Sequence, residues 1–310
     1  MKVAALDLGS NTFLCLIAEV SKNDKGVCRI EKIISDQVEI VRLGQDVNKT
    51  KRLHPDALIR AKNCLTKFKE TIDLYKPEKI LAMATSAARD SKNRDELFEI
   101  GKALGIPIEV IPGEKEALIT YQGSISGQTS DVTRLVVDIG GGSTEFITGD
   151  LKQIFQNKSL NIGCVRLTEK FITAQPTSTQ EVEAAEKNII ENLNQIVYFN
   201  DRQIAEILAV AGTPTALVAA QLKLVEFDAN RIDGFQLDLN SLEQWKLSLQ
   251  KATLQEKVAM GIPEGRADVI LIGVLTLIQT LKLFNKNKIT VSTRGVRHGI
   301  ALEMANRFLS

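Results

Sequence analysis

Two carboxylates in matching settings mark where this chain could do chemistry. The stretch Leu135-Val136-Val137-Asp138-Ile139-Gly140-Gly141-Gly142-Ser143-Thr144-Glu145 opens as a short apolar, β-branched run, the pattern of a buried strand. Asp138 interrupts that run near its end. An unpaired buried charge is costly, so a carboxylate there calls for a partner, and a metal ion is one. The glycines that follow let backbone N–H groups converge, and such a nest suits phosphate oxygens. The same pattern opens the chain: Val3-Ala4-Ala5-Leu6-Asp7-Leu8-Gly9-Ser10-Asn11-Thr12 is again strand, aspartate, glycine, hydroxyl. An aspartate for a metal beside a glycine cradle for phosphate is a layout for phosphoryl transfer. Each aspartate could instead cap its own turn.

Two such loops, a domain's length apart, predict a duplicated fold with the loops facing across a cleft. Asp7 and Asp138 are then the metal candidates. Mg2+, or Mn2+ in its place, needs only one or two carboxylates beside phosphate oxygens and water. Gly9, Ser10, Asn11, Gly140, Gly141, Gly142 and Ser143 form the candidate phosphate cradle. Other glycine-rich readings fare worse. The chain has no G-x-x-x-x-G-K-[ST] run, and a strand follows Gly142 where a dinucleotide fingerprint needs a helix.

Four more segments narrow the reading: Ala84-Thr85-Ser86-Ala87-Ala88-Arg89-Asp90, Pro112-Gly113-Glu114-Lys115-Glu116-Ala117, Asn161-Ile162-Gly163-Cys164-Val165-Arg166-Leu167 and Ser292-Thr293-Arg294-Gly295-Val296-Arg297-His298-Gly299. With the two loops they resemble, in order and spacing, the exopolyphosphatase/guanosine pentaphosphate phosphohydrolase (Ppx/GppA) family, from about residue 3 to the end of the chain. That resemblance implies an α/β fold of two ribonuclease-H-like domains, as in actin, sugar kinases and the Hsp70 ATPase. The expected boundaries are residues 1–125 plus 293–310 for the first domain and 126–292 for the second. It implies a metal-assisted hydrolase that releases terminal phosphate from polyphosphate or guanosine pentaphosphate. It also implies that Glu116 is the general base that activates water. The family usually has a glutamate where this chain has Lys115. Without the resemblance, Glu114 and Glu116 read simply as acids favoured at a helix N-terminus.

Arg89 offers a fork for phosphate oxygens and transition-state charge, or else a surface ion pair with Asp90 or Asp95. Ser86, in the same segment, joins the phosphate-binding set. Glu145 could hold a metal-bound water or make a strand-face salt bridge. Arg266 is taken as a phosphate contact, and Arg166, Arg294, Arg297 and His298 as weaker candidates along a longer polyanion. For all of these the plain alternative is a solvated cation. His54 reads as a structural residue before Pro55, and Trp245 as packing. A small-molecule kinase or ATPase of the same superfamily is the competing function. Its adenosine loop would be Ala211-Gly212-Thr213-Pro214-Thr215, which has one glycine only.

These residues need elements to hold them. Residues 3–8, 13–20 and 27–34 read as strands, with a hairpin turn at 23–26. A helix opens at Pro55 with Leu58, Ala61, Leu65, Phe68, Ile72 and Tyr75 on its apolar face. Then come strand 79–84, a helix near 93–104, strand 108–111 and helical pattern after Pro112. The second half repeats the order, with strands near 134–139, 144–149 and 152–157. A capping box at Ser178–Glu181 precedes a helix burying Val182, Ala185, Ile189, Leu193 and Ile196. Strand 206–211, a helix after Gly212, an irregular loop at 227–238, an apolar helix over 267–284, strand 289–292 and a last helix to Phe308 complete the reading.

Composition removes other classes. Of 310 residues, 39 are basic and 38 acidic, so no global field gathers a polyanion, and duplex nucleic acid is not an expected partner. Cys15, Cys28, Cys64 and Cys164 lack metal or disulfide spacing, and there are only two histidines. This fits a reducing, cytoplasmic setting. The longest apolar run, 269–278, is too short to span a bilayer, and no signal segment is expected. With no His/Asp cluster, the chain reads as a short form without the helical HD-type domain of longer relatives. A homodimer is expected.

Overall fold

The computed structural model describes residues 1–201 and 203–309. The chain divides into two compact units, Met1–Gln128 with Arg294–Ser310, and Thr129–Thr293. Ser310, where the first domain was expected to end, lies outside the described residues.

The first unit begins with strands β1 (Lys2–Leu8), β2 (Thr12–Lys22) and β3 (Cys28–Ile40). Helices α1 (Val47–Thr50) and α2 (Pro55–Tyr75) follow. Then come β4 (Lys79–Ala84), α3 (Ser86–Arg89), α4 (Asp95–Ala103), β5 (Ile108–Val110) and α5 (Gly113–Ile125). The sheet runs β3-β2-β1-β4-β5. The first three strands are antiparallel, and β4 and β5 continue parallel to β1.

The second unit repeats this with β6 (Arg134–Ile139), β7 (Thr144–Gly149), β8 (Ile154–Leu160), α6 (Cys164–Phe171) and α7 (Thr179–Leu193). A 3-10 segment at Asn194–Asp201 leads to β9 (Glu206–Val210) and α8 (Gly212–Gln221). Next are α9 (Ala229–Ile232), β10 (Gln236–Asp238), α10 (Leu239–Lys251), α11 (Leu254–Ala259), α12 (Ile270–Leu283) and β11 (Lys288–Val291). Its sheet runs β8-β7-β6-β9-β11-β10. Helix α13 (Val296–Phe308) belongs to the first unit. The expected βββαβα order is thus present twice.

Strand periodicity decides where each aspartate faces. Successive strand residues point to opposite faces. In β1, Ala4, Leu6 and Leu8 pack with α2, while Val3 and Ala5 pack with α13. Asp7 shares the parity of the second set. In β6, Leu135, Val137 and Ile139 enter the main core of the second unit, and Asp138 shares the opposite face with Val136.

Several elements differ from the reading of the sequence. β3 runs to Ile40 instead of ending at 34, because the polar stretch Ser35, Asp36, Gln37, with no local strand pattern to announce it, is held by pairing with β2 that continues unbroken from the Ile17/Ser35 pair to the Thr12/Ile40 pair. β8 starts at 154, not 152, since Asp150 Oδ1 accepts from the N–H groups of Lys152 and Gln153 and extends the turn. The segment 227–238 is not irregular. Asp228 caps α9 through the Asn230 and Arg231 N–H groups, and β10 pairs antiparallel with β11. α12 begins at Ile270 because Glu264–Arg266 forms a separate 3-10 turn. The capping box is present: Ser178 Oγ accepts from Glu181 N, and Glu181 Oε2 from Ser178 N at 2.9 Å. His54 caps α2, its Nδ1 accepting from Asp56 N, and Trp245 packs against the core.

One buried charge has a measurable consequence. Lys257 is fully buried and its Nζ donates to Gln175 Oε1. Burial pushes its ammonium down to about 8, opposed only by Asp268. Between about 8 and the unfolded value near 10.4, the folded chain therefore binds fewer protons than the unfolded one, and stability rises with pH. The contribution is on the order of 3 kcal/mol, unfavourable below pH 8 and relieved by about pH 10.5. Comparison with Lys257→Met by denaturant unfolding at pH 8 and pH 10 isolates it, because other lysines and tyrosines cancel. The wild type gains on the variant as pH rises; a constant difference overturns the assignment.

Candidate active site

In the first unit, the loop after β1 is closed by Gly9 N–H donating to Thr12 O at 3.1 Å. The Ser10 and Asn11 carbonyls accept from Gly44 N, and from Val41 and Arg42 N, so the 41–44 segment holds the loop from one side. Ser10 and Ser86 meet, Oγ to Oγ, at 2.8 Å, and Ser10 Oγ accepts from Ala87 N at 3.1 Å. Asn11 is 5% exposed, and its buried Nδ2 has no acceptor among the described residues. An amide donor left so is a place for an anionic oxygen.

Glu116 lies in the first turn of α5 and is buried. Arg89 Nη1 donates to Glu116 Oε2 and to Ile111 O, both at 3.0 Å. The structure thus joins two residues that the sequence offered separately. Lys115 turns toward α13, its Nζ 3.5 Å from Glu303 Oε1. Glu114 is exposed.

In the second unit, Gly140 N–H donates to Ser143 O at 3.0 Å, the same closure as at Gly9. The loop's carbonyls turn to the start of α6. Gly140 O accepts from Cys164 N at 2.9 Å, and Gly141 O from Val165 and Arg166 N at 2.9 and 3.0 Å. Gly142 O accepts from Gly163 N at 3.3 Å and from Arg166 Nε at 2.7 Å. In a trans peptide the C=O and the following N–H point in opposite directions. The Gly141, Gly142 and Ser143 N–H groups therefore point away from α6 together, as a nest for an anion.

Asp138 and Glu145 are directly opposed across β6 and β7. Cross-strand partners share a face with Cβ atoms about 4.5–5.5 Å apart, and like charges so placed repel. Both are buried, at 6% and 1% exposure. Ser159 Oγ donates to Glu145 Oε1 at 2.7 Å. A hard divalent cation suits this oxygen donor set, so the residues fit a Mg2+ site. Among the described residues there is no group of three or more His, Cys, Asp or Glu side chains that could hold a metal ion.

Arg266 lies against Gly212, where a Cβ would come within 1.8 Å of the guanidinium carbon. The preceding Ala211 holds φ 73 and ψ −165, a conformation that few residues other than glycine adopt. The remaining cations have partners or are buried. Arg166 grips the glycine loop, Arg294 donates to Ser126 O and Oγ, and Arg297 makes a two-pronged pair with Asp36 at 2.7 and 2.8 Å. His298 is buried, and burial, with Arg297 and Arg294 nearby, holds its imidazole well below the ordinary range. Burial raises the Cys15 and Cys64 thiols to about 12 and Cys164 to about 11, which leaves them poor nucleophiles. Ser159 escaped the reading of the sequence, because only the register of β7 against β8 brings it to Glu145. Arg166 was read for a different role, although its place in a glycine-bearing segment was a usable signal.

Comparison with known proteins places the chain in a family. The model of the Ppx/GppA phosphatase family matches residues 19–308. A bifunctional 3-dehydroquinate synthase/phosphatase of Fusobacterium nucleatum is 37% identical over 97% of this chain, which spans 46% of that protein's length. Exopolyphosphatase 2 of Mycobacterium tuberculosis is 34% identical, covering 98% of this chain and 98% of its own. Among solved structures, an exopolyphosphatase from Cytophaga hutchinsonii is similar with a TM-score of 0.88 at 27% identity, covering 99% of this chain and 98% of that one. With a family match over nearly the whole chain, and a relative at 34% identity covered over 98% of both chains, this chain belongs to the Ppx/GppA phosphatase family.

Proposed function

We propose that this protein releases terminal orthophosphate from inorganic polyphosphate, or converts guanosine pentaphosphate to the tetraphosphate, with Glu116 activating the attacking water. The observation that carries the proposal is the buried Glu116 held by Arg89 in a unit whose first loop offers Ser10, bonded to Ser86 of α3, and an unpartnered Asn11 amide. Glu116 accepts the proton of water, and Arg89 orients its carboxylate. The nest at Gly141–Ser143 binds the oxygens of the phosphoryl group. Each unit carries an acid beside its loop that would take Mg2+ or Mn2+, Asp7 in the first and Asp138, with Glu145 opposite it, in the second; such an ion would supply charge neutralisation on the phosphates. The crowding of Gly212 by Arg266 speaks against a nucleoside at that turn and hence against the kinase reading. Four free cysteines suit a cytoplasmic enzyme, and among the described residues no helix is long and apolar enough to cross a membrane.

The test is phosphate release from long-chain polyphosphate, guanosine pentaphosphate and ATP, side by side, with Mg2+ and with chelator. Release from one of the first two exceeds that from ATP, and chelation abolishes it. Faster transfer from ATP to a sugar or to acetate would point to the kinase instead, and undiminished hydrolysis in chelator would remove the metal from the scheme.

A further inference from the structure

The three outward N–H groups of the glycine loop are not held alike. The Gly140–Gly141 peptide is fixed by Cys164 N, and the Gly141–Gly142 peptide by Val165 N and Arg166 N. Those are main-chain donors at the start of α6, present whatever the side chains. The Gly142–Ser143 peptide has one main-chain donor, Gly163 N, at 3.3 Å, long for an N–H···O bond. Its short bond, 2.7 Å, comes from a side chain, Arg166 Nε. That bond is charge-assisted, and a guanidinium on a carbonyl also polarises the N–H at the other end of the same peptide.

From this we infer that Arg166 is a positioning residue: through the Gly142 carbonyl it aims and strengthens the Ser143 N–H as an anion donor. The inference rests on the reading of Gly140–Ser143 as a phosphate cradle. In this role Arg166 acts through the loop and need not itself touch phosphate. With no such hold, the Gly142–Ser143 peptide sits between a glycine and a serine, with little steric bar to rotation. The Gly141 and Gly142 donors would stay in place.

Loss of a whole oriented backbone donor of this kind costs about 10²–10³ in turnover. A loosened donor costs less, so Arg166→Met is expected to lower kcat about ten-fold or more. The change in KM is smaller, because two of the three donors persist. Arg166→Lys, whose ammonium can still reach the Gly142 carbonyl, recovers part of the loss. The decisive readout is the backbone amide resonances of residues 141, 142 and 143 during titration with imidodiphosphate, which resists hydrolysis. In the wild type all three move. In Arg166→Met, with unchanged melting, the Ser143 response is lost or reduced while Gly141 and Gly142 respond as before, and Lys at 166 restores it. An unaltered Ser143 response in the methionine variant overturns the assignment. So does an equal loss at all three amides, which would mean a general structural role, or a wild-type loop that ignores the probe. These amide results stand apart from the proposed function, which fails separately if the wild type responds to the probe yet releases no phosphate from polyphosphate or guanosine pentaphosphate.

Discussion

Glu116→Gln is expected to lower turnover by about 10²–10⁴ while leaving melting close to normal. The substitution keeps the size of the side chain and one oxygen for Arg89, but removes the proton acceptor. A positioned general base typically contributes that factor. At about 1.36 kcal/mol per factor of ten, it corresponds to roughly 3–5 kcal/mol of the barrier. The competing explanation for an acid in the first turn of α5, favourable interaction with the helix N-terminus, is worth only about 0.3–1 kcal/mol of stability and nothing in rate. Glu114 is in the same turn and exposed, so Glu114→Gln is an internal control for the helix effect. Turnover, melting temperature and polyphosphate binding are measured for both. If the two variants turn over alike, Glu116 is not the base, and Glu145 is the next carboxylate to examine.

Gly163→Ala is expected to be nearly as severe, for a different reason. Gly163 has φ −72 and ψ 153, which alanine adopts freely, so backbone conformation does not demand glycine. Space does. A Cβ there would lie 2.3 Å from Gly141 O and from Gly142 C. These are main-chain atoms of the glycine loop, tied by the bonds to α6, and cannot rotate aside as a flexible side chain could. A forced shift in a well-packed interior costs typically about 1–3 kcal/mol. Moving the loop would also spoil the aim of its N–H groups, and misplacement of about 1 Å can cost 10²-fold in rate. The expected result is a folded variant with a lower melting temperature and turnover reduced on the order of 10²-fold. Gly26→Ala is the comparison: its Cβ would meet nothing within 4 Å, and φ +77 makes it strained but remote. Wild-type turnover in a folded Gly163→Ala protein would mean that the loop's position does not matter.

Much of this was legible in the chain itself, and the rest had physical reasons not to be. Asp7 and Asp138 stood out because a carboxylate at the end of an apolar run is costly without a purpose. The strand at 79–84 and the helix from Pro55 matched their expected bounds because pattern and cap are local. β10, only three residues long, exists because β11 is beside it, which no local pattern encodes. The pairing of Arg89 with Glu116 was hidden for the same reason. Its neighbours in sequence, Asp90 and Asp95, were the visible acids, whereas packing of α5 brings Glu116 to it from a distance. For Arg166 and Arg297 the sequence offered a polyanion contact or a solvated cation. Each is spent instead on a particular acceptor, Gly142 O or Asp36, that only the folded chain presents.

The two register shifts in β3 bear on how the protein behaves in a crowded solution. β3 is the outermost strand of its sheet and one of the longest, and it carries Ile33 and Val38 at 45% and 48% exposure. A long, flat edge with apolar side chains is a template on which other chains can add strands and grow aggregates. Each bulge sharpens the local twist and interrupts the regular row of hydrogen-bonding groups that an incoming strand would have to match. The irregularity thus guards the edge against addition of further strands. Restoring regular alternation by deleting the extra residues would straighten the edge and make the protein more prone to aggregate.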